Sequence, residues 1–356
     1  VWIMAYTTID DPSAYFQTKL YTGNDSSRAI TFDGNTDMQP DWSWFKARSE
    51  AYNHAIFDSV RGVQKLIRSN QTTAEETHST TLTAFGSNGF SLGGGDAFTN
   101  ADTVTYSSWH WKAGTSFTND ASSTGVGTID STGSVNDTAG FSIISYTGTG
   151  ANGSIKHGLS TAPRAMFFKN LEEGAEGWFV YHESVGNTKR AGLLNETSAP
   201  STSSTFFQDT SPTSSIITLG SNHGCNGPDK MICYAFAEKQ GYSKFGKYTV
   251  SSGENNFIYL GFKPAWLMVK QIESGGNINW GIFDSKRPGF NNANSFLYAN
   301  TNAAEDSSNS HTIDFVSNGL RLRANTVGVN PGKDYIYFAF AAEPFVSSGG
   351  VPATAR

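Results

Sequence analysis

The chain contains one short pattern three times: a proline, an apolar run, and a lysine six residues after the proline. The copies are Pro40–Lys46, Pro163–Lys169 and Pro264–Lys270. Short apolar runs with such boundaries are typical of β-strands, and proline is expected at the first position, where the hydrogen-bond ladder has not begun. Several of the runs are apolar on both faces, which predicts a central strand in each copy. The closing lysine is expected at the rim of the sheet.

Further segments recur in the same order around each of these anchor runs. An aromatic strand precedes each anchor, a second one follows it, and an alternating aromatic strand closes each copy. The closing strands are Tyr106–Trp111, Met231–Phe236 and Tyr335–Phe340. Asn-Gly steps between apolar residues predict hairpins at 85–92 and 315–322. This internal repetition predicts three copies of one unit of about 100 residues.

The composition favours an all-β protein, since aromatic residues reach 13%, charged residues only 16%, and glycine occurs 37 times. Many short strands per copy predict a β-sandwich of jelly-roll type, and thus three tandem β-sandwich domains. Helical turns are expected only at 74–77 and 303–306. The short junction between the second and third copies predicts that they bury surface against each other. The predicted boundaries are 1–14 for an N-terminal segment, 15–113 for the first repeat, 114–139 for a Gly/Ser/Thr segment that is a flexible linker or a long surface loop, 140–239 for the second repeat, 242–345 for the third repeat, and 346–356 for a C-terminal tail.

Charge and hydropathy argue against two classes of partner. The net charge is -6 and no run of Lys or Arg exceeds two, which argues against nucleic acid. No window approaches 18 apolar residues and the first residues lack a basic region, so neither membrane insertion nor a secretory signal is expected. Cys225 and Cys233 flank a turn, and two buried free thiols are favoured over a disulfide.

Residues that could carry chemistry each have a plainer interpretation. Asp58 and Asp284 are each followed three residues later by an arginine, which predicts a local charge pair rather than a Ca²⁺ site. The seven histidines are scattered and are expected at solvent-facing strand ends. Tryptophans are expected mainly in the core, with a few able to stack on sugars. No nucleophile elbow or phosphate loop occurs, so no catalytic, cofactor-binding or metal-ligating residue is predicted.

Several separate segments carry a resemblance, and they include Met4–Pro12, Leu20–Gly23, Gln39–Trp42, Phe57–Gly62, Gly241–Gly246 and Val351–Arg356. Together they resemble uncharacterised structural proteins of marine tailed bacteriophages, which carry only a domain of unknown function. The resemblance extends over essentially the whole chain and implies a virion component, but it implies no catalytic residue. The second copy departs most from it, since it lacks the Ser-Asn-Gly hairpin.

Together these observations predict a non-enzymatic bacteriophage virion structural protein that needs no cofactor. It would be assembled in the host cytoplasm and displayed on the particle, as a tail-fibre or adhesin-type component or as capsid decoration. Its expected partners are other virion proteins, copies of itself in a homo-oligomer, and a host surface glycan. The alternatives are a glycan-binding module and a polysaccharide-degrading enzyme.

Overall fold

A computed structural model describes residues 5–186, 189–190, 192–251, 256–273, 279–287, 289–307, 312–323 and 332–354. Strands make up 45% of the chain and helices 6%, so the prediction of an all-β protein is confirmed. The paired strands form several antiparallel sheets. No helix among the described residues is long and apolar enough to cross a bilayer.

The strands are numbered β1 to β28 in chain order. The first nine are β1 (Phe16–Thr22), β2 (Arg28–Thr31), β3 (Trp42–Ala47), β4 (Ala55–Asp58), β5 (Gly62–Ile67), β6 (Glu76–Thr77), β7 (Leu82–Gly86), β8 (Gly89–Leu92) and β9 (Thr105–Trp111). Next come β10 (Thr115–Asn119), β11 (Ser131–Asn136), β12 (Phe141–Thr147), β13 (Gly153–Lys156), β14 (Ala165–Asn170), β15 (Phe179–His182), β16 (Lys189–Arg190), β17 (Gly192–Leu193), β18 (Ser201–Thr202), β19 (Ile216–Leu219) and β20 (Lys230–Phe236). The last are β21 (Ser243–Thr249), β22 (Asn256–Tyr259), β23 (Phe262–Gln271), β24 (Gly281–Asp284), β25 (Leu297–Tyr298), β26 (Ile313–Val316), β27 (Gly319–Leu322) and β28 (Asp334–Pro344).

Three large sheets contain the three anchor runs. The first has the order β1-β9-β3-β4-β5-β6, the second β10-β11-β12-β20-β14-β15-β17, and the third β21-β28-β23-β24-β25. In each, the anchor strand lies between the closing aromatic strand and the strand that follows the anchor. The prediction of a central anchor strand is therefore confirmed, and all six residues of β3 and of β14 are buried.

Smaller sheets accompany the large ones, with the orders β2-β8-β7, β13-β19 and β22-β27-β26. In the first, Phe90 and Leu92 pack with Phe45 and Phe57 of the large sheet in one buried cluster. A second such cluster joins Ile217 of β19 to strands of the second large sheet. Apolar side chains thus fill the space between layers, as in sandwich-like proteins.

The anchor prolines do not all stand where the sequence predicts. Strands β3 and β14 begin two residues after Pro40 and Pro163, so both prolines precede the ladder. Pro264 instead lies inside β23, where the register against β28 shifts on both sides of it. A bulge leaves this residue outside regular pairing, which is how a strand accommodates a missing N–H.

The predicted flexible linker at 114–139 is wrong. Strands β10 and β11 pair with each other, and β11 pairs with β12, so this segment extends the second large sheet. Its Gly/Ser/Thr composition fits an edge hairpin with small side chains. A Cβ on Gly133 would lie only 2.1 Å from the carbonyl oxygen of Ile143, so glycine allows the close approach.

Both Asn-Gly steps form the predicted hairpins. Gly86 pairs with Gly89 and Val316 pairs with Gly319, each across a two-residue loop. A Cβ on Gly89 would lie 2.0 Å from the carbonyl oxygen of Ile30, and one on Gly319 2.1 Å from that of Ile258. These glycines therefore also let a third strand approach closely.

The predicted helical turns at 74–77 and 303–306 are wrong, because neither segment is helical and each ends in β-pairing. Glu76 and Thr77 form β6, and Asp306 forms a bridge with Phe296. The helical turns of the described residues lie elsewhere. They are two 3₁₀ turns, Pro12–Ala14 and Glu183–Val185, and three one-turn helices, α1 (Ala121–Thr124), α2 (Ser204–Phe207) and α3 (His223–Asn226).

One aromatic core joins all three large sheets. The rings of Trp111, Phe236 and Phe340, the last aromatic residue of each closing strand, contact one another. Their centroids lie 6.5 Å (Trp111–Phe236), 5.5 Å (Trp111–Phe340) and 5.6 Å (Phe236–Phe340) apart. Burial between the second and third copies was expected, and Trp111 of the first large sheet also takes part in it.

Candidate functional site

The described tryptophans belong to the core. All seven are at most 2% exposed, so none of them forms a surface for stacking on sugars. Trp2 lies outside the described residues. The large exposed aromatic side chains of β22 are instead Phe257 and Tyr259, at 52% and 47% exposure, and the ammonium of Lys244 lies 5.1 Å from the ring centre of Tyr259.

The expectation of solvent-facing histidines is wrong for four of the seven. His54, His110, His157 and His182 are fully buried. Burial lowers the pKa of His54 to about 3 and those of His157 and His182 to about 4. Their ring nitrogens have partners in the interior, so these rings act as neutral hydrogen-bonding members of the core. His78 and His223 reach the surface, and His311 lies outside the described residues.

The two predicted charge pairs are confirmed, and both are buried. Arg61 Nε donates to Asp58 Oδ2 over 2.5 Å, and Arg287 Nε donates to Asp284 Oδ2 over 2.6 Å. Each aspartate also accepts a hydrogen bond from another large sheet. Tyr234 Oη donates to Asp58 over 2.6 Å. Trp109 Nε1 donates to Asp284 over 2.9 Å. The pairs therefore link sheets.

The anchor lysines are not at the rim, because all three are fully buried. Lys169 Nζ donates to the carbonyl oxygens of Thr72, Asn170 and Glu176 at 2.8–3.0 Å. Thr72 lies between β5 and β6 of the first large sheet. Lys270 Nζ donates to the Thr197 carbonyl, which lies between β17 and β18. Each of these two buried ammonium groups therefore donates to a backbone carbonyl of a loop that lies far from it in the sequence.

Three more hydrogen bonds each join one large sheet to another, and tryptophan side chains donate two of them. Trp178 Nε1 donates to the Arg68 carbonyl, from the second sheet to the first. Trp280 Nε1 donates to the Leu193 carbonyl, from the third sheet to the second.

His54 makes the matching contact from the first sheet to the third. Trp44 Nε1 donates to its Nδ1, so the ring proton is on Nε2, which donates to the Tyr298 carbonyl over 2.9 Å. These three contacts close a ring of sheets. They show that many of the polar groups noted in the sequence are used to join sheets.

The buried lysines predict a pH-dependent stability. Desolvation lowers the pKa of Lys46 and Lys270 to about 7 and that of Lys169 to about 8. Above these values the folded chain holds fewer protons than the unfolded chain, whose lysines titrate near 10.4. Each such lysine adds about 1.4 kcal/mol per pH unit above its folded-state pKa, so stability should rise by several kcal/mol between about pH 7 and 9. The buried neutral histidines should likewise make stability rise with pH between about pH 4 and 6.5.

Urea unfolding at pH 5, 7 and 9 measures this dependence. Lys270→Met keeps the volume and removes the charge, so the rise between pH 7 and 9 should shrink by about a third, since one of three such lysines is removed. Lys230→Met is the control, because that side chain is 71% exposed. If the free energy of unfolding rises as much between pH 7 and 9 in Lys270→Met as in the parent, the pH dependence does not come from this buried lysine.

Two carboxylates and a histidine converge at the surface of the second large sheet. One nitrogen of His223 and one carboxylate oxygen each of Glu173 and Glu176 lie within 4.8 Å of one another. A cleft of about 450 Å³ opens beside them, lined by Glu176, His223, Glu196 and Thr72 among others. Sequence reasoning missed this group because His223 follows the two glutamates by about fifty residues. The only local signal is the acidic run Glu172-Glu173-Gly-Ala-Glu176.

Comparison with known protein families gives a match over nearly the whole chain. A family model described as "Domain of unknown function (DUF7483)" matches residues 11–344. No curated protein matches the chain.

Proposed function

We propose a structural function for this chain, which belongs to the family described as a domain of unknown function (DUF7483). The proposal is a non-enzymatic component of a bacteriophage particle, assembled in the host cytoplasm and displayed on the particle surface. The single observation that carries it is the closed ring of three sheets around Trp111, Phe236 and Phe340.

The proposal includes three repeats of one sandwich-like unit, arranged as a trimer within one chain. Corresponding strand orders in the three large sheets support it. So do the contacts of Trp178, Trp280 and His54, which occupy corresponding positions and each donate to a backbone carbonyl of a neighbouring unit. Head-to-tail contacts of this kind form a closed ring when the rotation between units is one third of a turn.

A trimer-like chain suits a symmetric particle. Virion components occupy sites of rotational symmetry, and a chain with an internal axis presents three similar faces to such a site. A single copy then makes three related contacts, and each added contact raises the effective affinity without new chemistry. Capsid decoration and a tail-fibre or adhesin-type role both use this geometry, with other virion proteins and further copies of the chain as partners.

Purified particles of the phage that encodes the chain test the proposal. We expect its peptides in their protein composition at a stoichiometry set by a symmetric site, and a compact three-lobed density on the particle surface by cryo-electron microscopy. Absence from purified particles would overturn the proposal. If the chain is absent from particles, saturable binding of host polysaccharide would favour the glycan-binding module. Release of oligosaccharides would favour the enzyme.

A further inference from the structure

Two surface carboxylates lie on one loop near the cleft beside β15, and one of them, Glu176, lines the cleft. Glu173 and Glu176 lie between β14 and β15, and their backbone is fixed from the interior. Asn170 Oδ1 accepts hydrogen bonds from the N–H groups of Glu172 and Glu173 over 3.0 and 2.9 Å. Lys169 Nζ donates to the Glu176 carbonyl over 3.0 Å. The carboxylates therefore project from a fixed backbone.

The histidine of this group is fixed by a separate element. His223 is the first residue of α3, and the Asn222 side chain accepts a hydrogen bond from the Gly224 N–H over 3.0 Å. Gly224 packs so tightly on Phe179 that a Cβ there would lie 2.1 Å from the ring. The helix thus sits directly on β15, which sets the position of His223 relative to the carboxylates.

The three side chains have the spacing of a metal ligand set. Glu173 Oε2 lies 3.6 Å from His223 Nδ1. Ligands at bond lengths of about 2.0–2.2 Å stand roughly 3–4 Å apart, so small side-chain rotations suffice. The Glu176 carboxylate forms no hydrogen bond or ion pair with the described residues. Side-chain exposures of 41% for Glu173 and 52% for His223 leave room for an ion to enter.

We propose that Glu173, Glu176 and His223 bind one divalent transition-metal ion, with Zn²⁺ as the best match. Two carboxylates balance the 2+ charge, and an imidazole ligand favours Zn²⁺ over Ca²⁺ or Mg²⁺, which prefer oxygen ligands alone. Three protein ligands leave at least one position open. That position is available to an oxygen-donor ligand in the 450 Å³ cleft, whose lining includes Glu176 and His223. This site goes beyond the proposed structural function and does not depend on it.

Titration of the metal-free, untagged full chain with ZnCl₂ by calorimetry tests the site. We expect one Zn²⁺ per chain, with His223→Ala and Glu176→Gln each weakening binding by at least about tenfold. Both side chains are at or near the surface, so each variant should keep the unfolding temperature of the metal-free parent. Co²⁺ provides a second measurement, since its visible absorption reports direct ligation and should be lost in His223→Ala.

His78 provides the matched control. Its Nε2 lies 2.9 Å from Glu76 Oε2 and its Nδ1 lies 3.7 Å from Asp96 Oδ2, but Arg68 already holds both oxygens of Glu76. His78→Ala should therefore leave Zn²⁺ binding unchanged. The proposal is overturned if the chain binds no stoichiometric Zn²⁺, if both site variants bind as the parent does, or if His78→Ala abolishes binding instead.

Discussion

Phe340→Ala is expected to lower the free energy of unfolding by about 3–5 kcal/mol, the range for truncating a buried phenylalanine. The Phe340 ring contacts aromatic rings of all three large sheets, among them Phe16 at 5.6 Å, Phe236 at 5.6 Å and Trp266 at 5.9 Å. The cavity would open where the sheets meet, so no single sheet can collapse to fill it. The cost should therefore fall near the upper end of the range.

Urea unfolding followed by tryptophan fluorescence and by circular dichroism measures the loss. Because the core is shared, the parent and the variant should each unfold in one transition that both probes report alike. Phe257→Ala is the matched control, since it removes the same side chain from a strand where the ring is 52% exposed, and it should change stability by less than about 0.5 kcal/mol. Separate transitions in the parent would mean that the sheets unfold independently, and a small loss in Phe340→Ala would mean that they do not depend on a common core.

Local features of the fold were predictable because local chemistry decides them. The anchor runs are central strands because they are rich in large apolar residues, which occupy both faces of β14 and β23. The hairpins at Gly89 and Gly319 form where Asn-Gly steps occur, and the Asp58–Arg61 pair spans a turn of four residues. In each case the residues that interact are close in the sequence, so their spacing already contains the geometry.

Features that depend on distant segments were not predictable. Lys169 resembles a solvent-exposed strand end until the loop containing Thr72 covers it, about one hundred residues earlier in the chain. His54 is buried only because β25 and its following turn supply carbonyl acceptors. The segment 114–139 has the composition of a linker, yet its second strand, β11, pairs in register with β12. In each case a tertiary contact overrides the local preference, and a single sequence does not show which distant segments come into contact.

The candidate metal site illustrates the same limit. Glu173 and Glu176 are neighbours in sequence, but the acidic run alone is typical of a solvated loop. Its third member, His223, reaches the group through the packing of Gly224 on Phe179. A sequence signal for this contact would have required knowing that α3 lies over β15.

Asp284→Ala is expected to destabilise the chain by about 3–5 kcal/mol, the cost of removing one partner from a buried ion pair. Asp284 accepts hydrogen bonds from Arg287 Nε, from the Arg287 N–H over 2.9 Å and from Trp109 Nε1 over 2.9 Å. The Arg287 side chain is fully buried, so among the described residues its guanidinium would keep only Glu305 as a carboxylate partner, at 2.9 Å. The indole N–H of Trp109 would lose its acceptor.

Glu343→Ala is the control for this change, because the Glu343 side chain is half exposed and pairs with Lys263 over 3.2 Å. An exposed pair contributes at most about 1 kcal/mol and weakens with salt, whereas the Asp284 effect should persist in about 1 M NaCl. A double-mutant cycle of Asp284→Ala with Trp109→Phe measures the link between sheets, and a coupling of about 0.5–3 kcal/mol is expected for residues in direct contact. Additive losses would mean that this hydrogen bond does not join the first and third sheets energetically, and their connection would then depend on the aromatic centre and on the other hydrogen bonds between them, such as that of His54.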